Sequence, residues 1–321
     1  MKVDVARLYA IAWRVAGKVP GPLLRGAARL AADVTWLRHG EGVRRLEKNL
    51  GRVRPELDHR ALRRLSRAGM RSYMRYFTEA FALVAVPREQ VDHRVRAVHR
   101  ERVQPYLDEG RPILLALAHV GNWDLAGAWA TRHLAPVTTV AERLEPEELF
   151  QEFVAFRESI GLSIIPLSGG GDVFRDLVRA ARAPAAGVVP LLADRDLTAR
   201  GVEVDLFGHR ARVAAGPAAL AISTGAPLFP TLVRYERLRG ARRRAAGTPW
   251  GVTIEFSPRV EVPADVPRSE QVRAVTQAWV DEVAAGIHRH PEDWHMLQRV
   301  FVDDLDPARY AATVQASGAS S

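Results

Sequence analysis

Ile113-Leu114-Leu115-Ala116-Leu117-Ala118-His119-Val120-Gly121-Asn122-Trp123-Asp124 decides the fold. Residues 113–118 form an unbroken apolar run, the pattern of a strand covered on both faces in an α/β sheet. His119 then stands at the carboxyl end of that strand, where open α/β folds place their sites. Gly121 and Asn122 are turn and N-cap residues, so a helix is expected from Trp123 to about Leu134, with Asp124 in its first turn. A loop this short can fold Asp124 back towards the imidazole of His119. A carboxylate there fixes the tautomer and stabilises the protonated ring, which is what a general base requires.

A second continuous apolar run, Gly187 to Ala193, ends at Asp194-Arg195-Asp196. If the two strands are parallel neighbours, Asp194 emerges beside His119. Around them the spacing predicts further alternation of strand and helix. A strand at 137–140 leads to Ala141-Glu142-Arg143, a helix runs from Pro146 to Ile160, and a strand at 163–166 precedes a helix at 173–182. Val202 to Phe207 alternates as a half-exposed strand turned by Gly208-His209, and Arg237 to Thr248 reads as a charged, hairpin-like loop. Residues 213–233 carry no charge, but Gly216-Pro217, Gly225, Pro227 and Pro230 divide them into a helix at 217–224 and a strand at 228–235, not a membrane span. A last strand at 251–257 and a long amphipathic helix at 269–289 complete an α/β class with a central, mostly parallel sheet flanked by helices.

The motifs resemble a known family. His119, four intervening residues and Asp124 match the H-x4-D motif of the glycerolipid acyltransferases, which include the bacterial lipid A and actinobacterial phosphatidylinositol mannoside acyltransferases. Further blocks are similar in order to the mannoside branch: Ala141-Glu142-Arg143-Leu144, Phe156-Arg157-Glu158-Ser159, Pro166-Leu167-Ser168-Gly169-Gly170, Ala193-Asp194-Arg195-Asp196-Leu197-Thr198, Ala215-Gly216-Pro217-Ala218 and Pro291-Glu292-Asp293-Trp294-His295-Met296-Leu297-Gln298. They span about residues 110 to 302. One position departs: where the family pattern implies glutamate before Arg195, this chain has Asp194, one methylene shorter.

The resemblance implies a glycerolipid acyltransferase-like fold and transfer of a fatty acyl group, palmitoyl by expectation, from acyl-CoA as co-substrate to a mannose hydroxyl of phosphatidylinositol mannoside. His119 is the expected base. The family's acidic partner maps to Asp194, with Asp124 positioning the histidine or its loop. Glu142, Arg157 and Arg195 are candidates for substrate contacts. Trp123, with Leu125 and Trp129 on the same helix, is a candidate lining for an acyl groove. Two rivals stay open: a lipid A-type acceptor, and a basic membrane- or nucleic-acid-binding protein without catalysis. The latter leaves His119 and both strand-end acids idle. A carrier protein as donor also stays open, as does the oligomeric state.

Composition bounds the chemistry. The 321 residues contain no cysteine, which excludes disulfides, thiolate metal sites and a cysteine-acyl intermediate. No G-x-S-x-G elbow is present, so direct transfer is favoured over an acyl-serine. His288, His290, Asp293 and His295 straddle a helix end and Pro291 without a recognised ligand spacing, and no metal or cofactor is expected. The net charge of +9 comes almost wholly from arginine and points to anionic partners. Residues 41–86 interleave arginine with aromatic and aliphatic residues but carry no nucleic-acid-binding signature, so an anionic membrane surface is the expected partner and nucleic acid is not.

Residues 1–90 are expected to form an amphipathic helical region, residues 91–310 the catalytic domain, with its sheet beginning at Val91 to Arg96, and residues 311–321 a frayed tail. Val5, Leu8, Trp13 and the stripe of Arg7, Arg14 and Lys18 make one amphipathic helix. After Pro20-Gly21-Pro22, residues 23–37 repeat the design with Arg25, Arg29 and Trp36. Such helices lie in a membrane interface. No secretory cleavage site or spanning segment is read, so peripheral attachment to the cytoplasmic face of the cell membrane is expected.

Overall fold

A computed structural model describes residues 17–143, 145–167, 172–198, 200–308 and 310–311. The expected helix of residues 1–19 falls largely outside these, as do the Ser168–Gly171 turn and the tail. Three helices come first: α1 (Gly21–Arg38), α2 (Glu41–Val53) and α3 (His59–Leu83). The remaining elements are α4 (Arg88–Arg94), β1 (Val95–Val98), α5 (Gln104–Asp108), β2 (Ile113–Leu117), α6 (Trp123–His133), β3 (Val137–Glu142), α7 (Glu147–Ser159), β4 (Leu162–Leu167), α8 (Asp172–Ala181), β5 (Val188–Leu192), β6 (Val202–Leu206), β7 (His209–Val213), α9 (Gly216–Thr224), β8 (Leu228–Arg237), α10 (Gly240–Ala246), β9 (Trp250–Phe256) and α11 (Arg268–Arg289).

Seven strands form one sheet in the order β1-β9-β8-β2-β5-β3-β4. Every pairing is parallel except β8 with β9. β2 lies at the centre, paired in parallel with β5 on one side and β8 on the other. Its apolar run divides by alternation between two cores. Ile113, Leu115 and Leu117 join α6 and the end of α3, while Leu114 and Ala116 join α9, α11 and the β6–β7 hairpin. That is why no polar residue interrupts the run: both faces are dry. A smaller cluster, with Ala32, Val43, Leu46, Leu50 and Met70 at its centre, binds α1, α2 and α3 together.

Three elements differ from the sequence reading. Val91 is in α4, and the sheet begins only at Val95; Glu89 in the first turn and His93 and Arg94 in the last complement the helix dipole. The Arg237–Thr248 stretch is not a loop throughout, because α10 occupies its middle, closed by Gly247 in the left-handed region at φ 65°. β7 is an additional strand, paired antiparallel to β6 across a turn in which both Phe207 and Gly208 have positive φ.

Candidate active site

Register brings the two strand ends together. Leu117 of β2 lies opposite Leu192 of β5, and two residues further along each chain stand His119 and Asp194. His119 Nδ1 and Asp194 Oδ1 are 2.6 Å apart, and the His119 backbone N–H donates to Oδ2 of the same carboxylate at 3.1 Å. The Trp294 indole N–H donates to that Oδ2 at 2.9 Å. Asp194 is 4% exposed, so an aspartate reaches the ring despite lacking the methylene of the expected glutamate. The imidazole side chain remains 39% exposed.

The pKa directions agree with a charged pair. Burial disfavours the imidazolium, yet the Asp194 carboxylate outweighs it and holds His119 above its ordinary value. Burial likewise opposes ionisation of Asp194, and His119 with the hydrogen bonds from Trp294 and the backbone overcomes it, leaving the carboxyl below its ordinary value. With Nδ1–H directed at Asp194, Nε2 is the nitrogen with a lone pair to offer.

The loop that carries His119 is fixed from the segment after α11. Val120 bridges Trp294, the Gly121 N–H donates to the Asp293 carbonyl at 3.0 Å, and the His295 N–H donates to the His119 carbonyl at 2.8 Å. Gly121 is required twice over. Its φ is +65°, and a Cβ there would lie 2.3 Å from the Val233 carbonyl oxygen. Asn122 caps α6 by accepting from the Leu125 N–H at 2.9 Å and donates its own amide to Glu79 at 3.0 Å.

Asp124 does not turn back to the imidazole, which corrects the first of the two pairings considered above. Its Oδ1 accepts from Arg157 Nε at 2.9 Å and its Oδ2 from the Tyr76 hydroxyl at 2.8 Å. At 1% exposure an unpaired carboxylate would be costly, and the α6 start aims it at α3 and α7 instead of at β5. Arg157 is raised above its ordinary value because Asp124 outweighs the burial that opposes its charge. Glu142 is exposed at the carboxyl end of β3, one strand beyond β5. Arg195 donates to the Arg299 carbonyl at 3.2 Å and pulls the His119 pKa down, so its charge is felt at the ring.

Trp123 packs edge-on to His119 at 5.5 Å between centroids and lies against Tyr76 at 4.0 Å. Its indole N–H is buried with no acceptor. Trp123 and Leu117 also line an apolar channel between α6 and the sheet, with Ala126, Gly127 and Ala130 leaving room on the helix side and Val188, Leu192 and Ile254 on the sheet side. Leu125 and Trp129, the other candidates for such a groove, do not line it; Trp129 stacks on His133 instead.

With this geometry in view, relationships to known proteins decide the family. Residues 2–302 match the model of the bacterial lipid A biosynthesis acyltransferases. The chain belongs to that family. It is an acyltransferase. It is 38% identical over 305 residues to a phosphatidylinositol mannoside acyltransferase of Mycolicibacterium smegmatis, covering 94% of this chain and 93% of that one. A protein of the same name from Mycobacterium tuberculosis is 39% identical over 314 residues, covering 94% and 90%. A loose structural likeness links it to the crystal structure of the 1-acyl-sn-glycerophosphate acyltransferase from Thermotoga maritima, with TM-score 0.34 and 13% identity over 70% of this chain and 87% of that one.

Three residues of this acyltransferase site escape a reading by local pattern. Tyr76 stands among the arginines of α3 and looks like one more amphipathic position, yet its hydroxyl closes on Asp124. Trp294 lies in a block noted only for its resemblance, and His295 was weighed there only as one of four side chains without a metal-ligand spacing. His295 is buried, with Nε2 3.1 Å from the Ser72 hydroxyl, Nδ1 unpartnered, and its pKa lowered to about 3, foremost by burial and then by Arg75. Asp293, considered above with the histidines, accepts from the Ser72 hydroxyl at 2.7 Å and from the Tyr235 N–H at 2.8 Å. Both its oxygens are engaged. Among the described residues no group of three or more His, Cys, Asp or Glu side chains is arranged to hold a metal ion.

Proposed function

We propose that this acyltransferase moves a fatty acyl group, palmitoyl by expectation, from acyl-CoA to a mannose hydroxyl of phosphatidylinositol mannoside at the cytoplasmic face of the cell membrane. The observation that carries the chemistry is the His119–Asp194 pair, with Nδ1 and Oδ1 2.6 Å apart, standing against Trp123 at the wall of the apolar channel. The acceptor rests on the extent of identity to two proteins bearing that name.

A sugar hydroxyl is a weak nucleophile near neutral pH. Neutral His119 takes its proton at Nε2 while the oxygen attacks the thioester carbonyl; Asp194 balances the imidazolium that forms. As the carbonyl reforms, the carbon–sulfur bond breaks and the coenzyme A thiolate takes the proton back from His119. No covalent acyl-enzyme is involved. The acyl chain occupies the channel, whose lining is predominantly apolar. Asp124, Arg157 and Tyr76 hold the helix start that carries Trp123, and Glu142 and Arg195 face acceptor or donor from the same strand-end edge.

Access to a two-chain lipid is gained by docking on an anionic bilayer. No described helix is long and apolar enough to cross a membrane. Leu23, Leu30, Val34 and Leu37 fall on one stripe of α1 and are exposed, three of them by about two thirds. Trp36, expected to reach the interface, instead donates to the Ser66 hydroxyl at 2.9 Å under the Arg63 guanidinium. The leucines are thus the membrane face. Incubating the purified protein with palmitoyl-CoA and a panel of mannosides and lipid A precursors, followed by mass spectrometry, tests the reading. An acylated mannoside is the expected product, and acylation of the lipid A precursor alone would overturn the acceptor.

A further inference from the structure

The arginines of α3 look alike in sequence and separate in space. Arg67 and Arg71 both close on Asp33 of α1, and Arg63 closes on Glu47. Arg75, one turn on, has no carboxylate within 4 Å among the described residues. Its guanidinium sits 3.5 Å from the Trp250 ring centroid and 4.5 Å from that of Tyr235. There it faces a cleft of about 750 Å³ between α1, α3, α4 and the adjoining ends of β8 and β9. Arg25 and Arg29 of α1, Arg94 of α4 and Arg237 of β8 line the same cleft. None of these four has a carboxylate within 4 Å among the described residues, and the Arg237 guanidinium also lies over the Trp250 ring, 4.6 Å from its centroid.

The acids in the cleft, Glu79, Glu292 and Asp293, are fewer than these five arginines and balance them only in part. Asp293 has both oxygens engaged by Ser72 and Tyr235. Burial raises Glu79 and Glu292 towards their neutral forms. Burial also lowers Arg25 and Arg94; Glu79 offsets part of this in both, and Arg25 depresses Arg94 further. Burial is the common cause of both directions, so the cleft holds its arginines on a concave surface partly withdrawn from water. Guanidinium forks held against aromatic rings are preorganised for the paired oxygens of a phosphate, and single-sign clefts focus field on such an anion.

We infer that this cleft is a second binding site, for a phosphate-bearing ligand, sharing no lining residue with the apolar channel beside His119. On α3, Ser72, Arg75 and Glu79 line the cleft, while Tyr76 on the adjoining flank bonds Asp124. The volume exceeds a lone phosphate and admits a phosphorylated polyol. The Gln90 amide and the Thr248 hydroxyl on the wall are polar partners for the hydroxyls of such a polyol. A lipid headgroup and a soluble phosphate ester share this chemistry.

The test uses the full chain, both wild-type and His119→Ala, so that its result is independent of acyl transfer. Inorganic pyrophosphate is titrated by calorimetry, and phosphatidylcholine vesicles with and without phosphatidylinositol are floated in the presence and absence of pyrophosphate. Both proteins are expected to bind pyrophosphate saturably and one to one. Arg75→Gln should weaken that binding by about 10-fold or more, as expected for loss of a charge-assisted contact. Arg29→Gln, on an exposed residue whose change leaves the fold intact, should weaken it less. Arg64→Gln, exposed outside the cleft and equal in charge change, should leave it within about 2-fold. Release of phosphatidylinositol vesicles by pyrophosphate from wild type but not from Arg75→Gln identifies the source as a headgroup. Pyrophosphate binding that vesicles do not compete with identifies a soluble ester. No saturable binding, or equal weakening by Arg64→Gln and Arg75→Gln, would overturn the site.

Discussion

Trp294 donates its indole N–H to Asp194 Oδ2 at 2.9 Å, so the carboxylate that holds His119 is itself held by a residue 100 positions away. The same segment takes the His119 carbonyl through the His295 N–H. Asp194 and His119 are therefore clamped from one side by a single backbone run. Trp294→Phe removes the donor and leaves Asp194 with the imidazole and one backbone N–H. Losing one hydrogen bond to a charged group costs about 1.5–3 kcal/mol. We expect kcat to fall by roughly 10-fold with KM little changed, since the indole reaches the acid and not a substrate. A change confined to KM would place Trp294 against a substrate instead.

Asp194→Asn should cost ~10² to 10⁴ in turnover, the usual worth of positioned proton transfer. The pH profile gives a sharper reading. As the proposed base, His119 must be neutral to accept a proton, and Asp194 raises its pKa, so activity is expected to appear as pH rises through that elevated value. Without the carboxylate, burial and the charges of Arg195 and Arg157 remain and all lower the pKa. The acid limb of kcat/KM should therefore move to lower pH while its plateau collapses. An unmoved limb would mean that Asp194 does not set the charge of the base.

Asp124→Asn should behave differently although it alters the other acid of the same motif. It strips the counter-charge from Arg157, whose side chain is only 15% exposed, and removing one member of a buried pair costs about 3–5 kcal/mol. We expect a large drop in the denaturation midpoint, a smaller loss of turnover per folded molecule than in Asp194→Asn, and an unmoved acid limb. A limb that shifts with Asp124→Asn would place its charge at the imidazole after all.

The sequence carried the strand ends further than the contacts between them. Continuous apolar runs announced β2 and β5, and parallel pairing was enough to set Asp194 beside His119. The direction taken by Asp124 was not legible, because it depends on Tyr76 and Arg157 arriving from α3 and α7, and no local spacing encodes that approach. Trp294 was hidden for the same reason. The helix α10 was missed on composition: its three consecutive arginines read as a solvated loop, although Gly247 gave the signal of a helix end. Arginines at equivalent spacing on α3 likewise proved unequal, some tied to Asp33 and one resting on Trp250.

His295 makes a prediction about stability. It is buried with a pKa lowered to about 3, so the folded protein keeps it neutral while the unfolded chain binds a proton below the ordinary 6.5. Stability from this source is complete above pH 6.5 and falls as pH drops from 6.5 towards 3, at no more than about 1.4 kcal/mol per pH unit. By pH 5 the loss approaches roughly 2 kcal/mol. His119, with a raised pKa, acts in the opposite sense over its own range, and comparison with His295→Asn isolates the His295 part. Urea midpoints between pH 7 and 5 should fall more steeply in wild type than in His295→Asn. Parallel slopes would show that His295 titrates normally in the folded state.

Vesicle binding tests the outer face of α1. Leu23, Leu30 and Leu37 are 67%, 66% and 68% exposed and share one stripe, while Ala32 on the opposite side is fully buried against α3. Changing the three leucines to serine therefore leaves the packing of the helix on α3 in place. The melting temperature should stay within about 2 °C, as surface changes are usually within ±0.5 kcal/mol. Burying each leucine in a bilayer contributes at most ~1.5–3 kcal/mol, so losing three should weaken flotation with anionic vesicles by well over 10-fold. The electrostatic part behaves otherwise. Arg29 and Arg38 remain, and attraction of about 1 kcal/mol per basic residue to an acidic leaflet fades as the Debye length shrinks in salt. We expect the wild type to retain partial binding in high salt and the triple serine variant to retain none. Equal flotation of the two at every salt concentration would move the membrane contact away from α1.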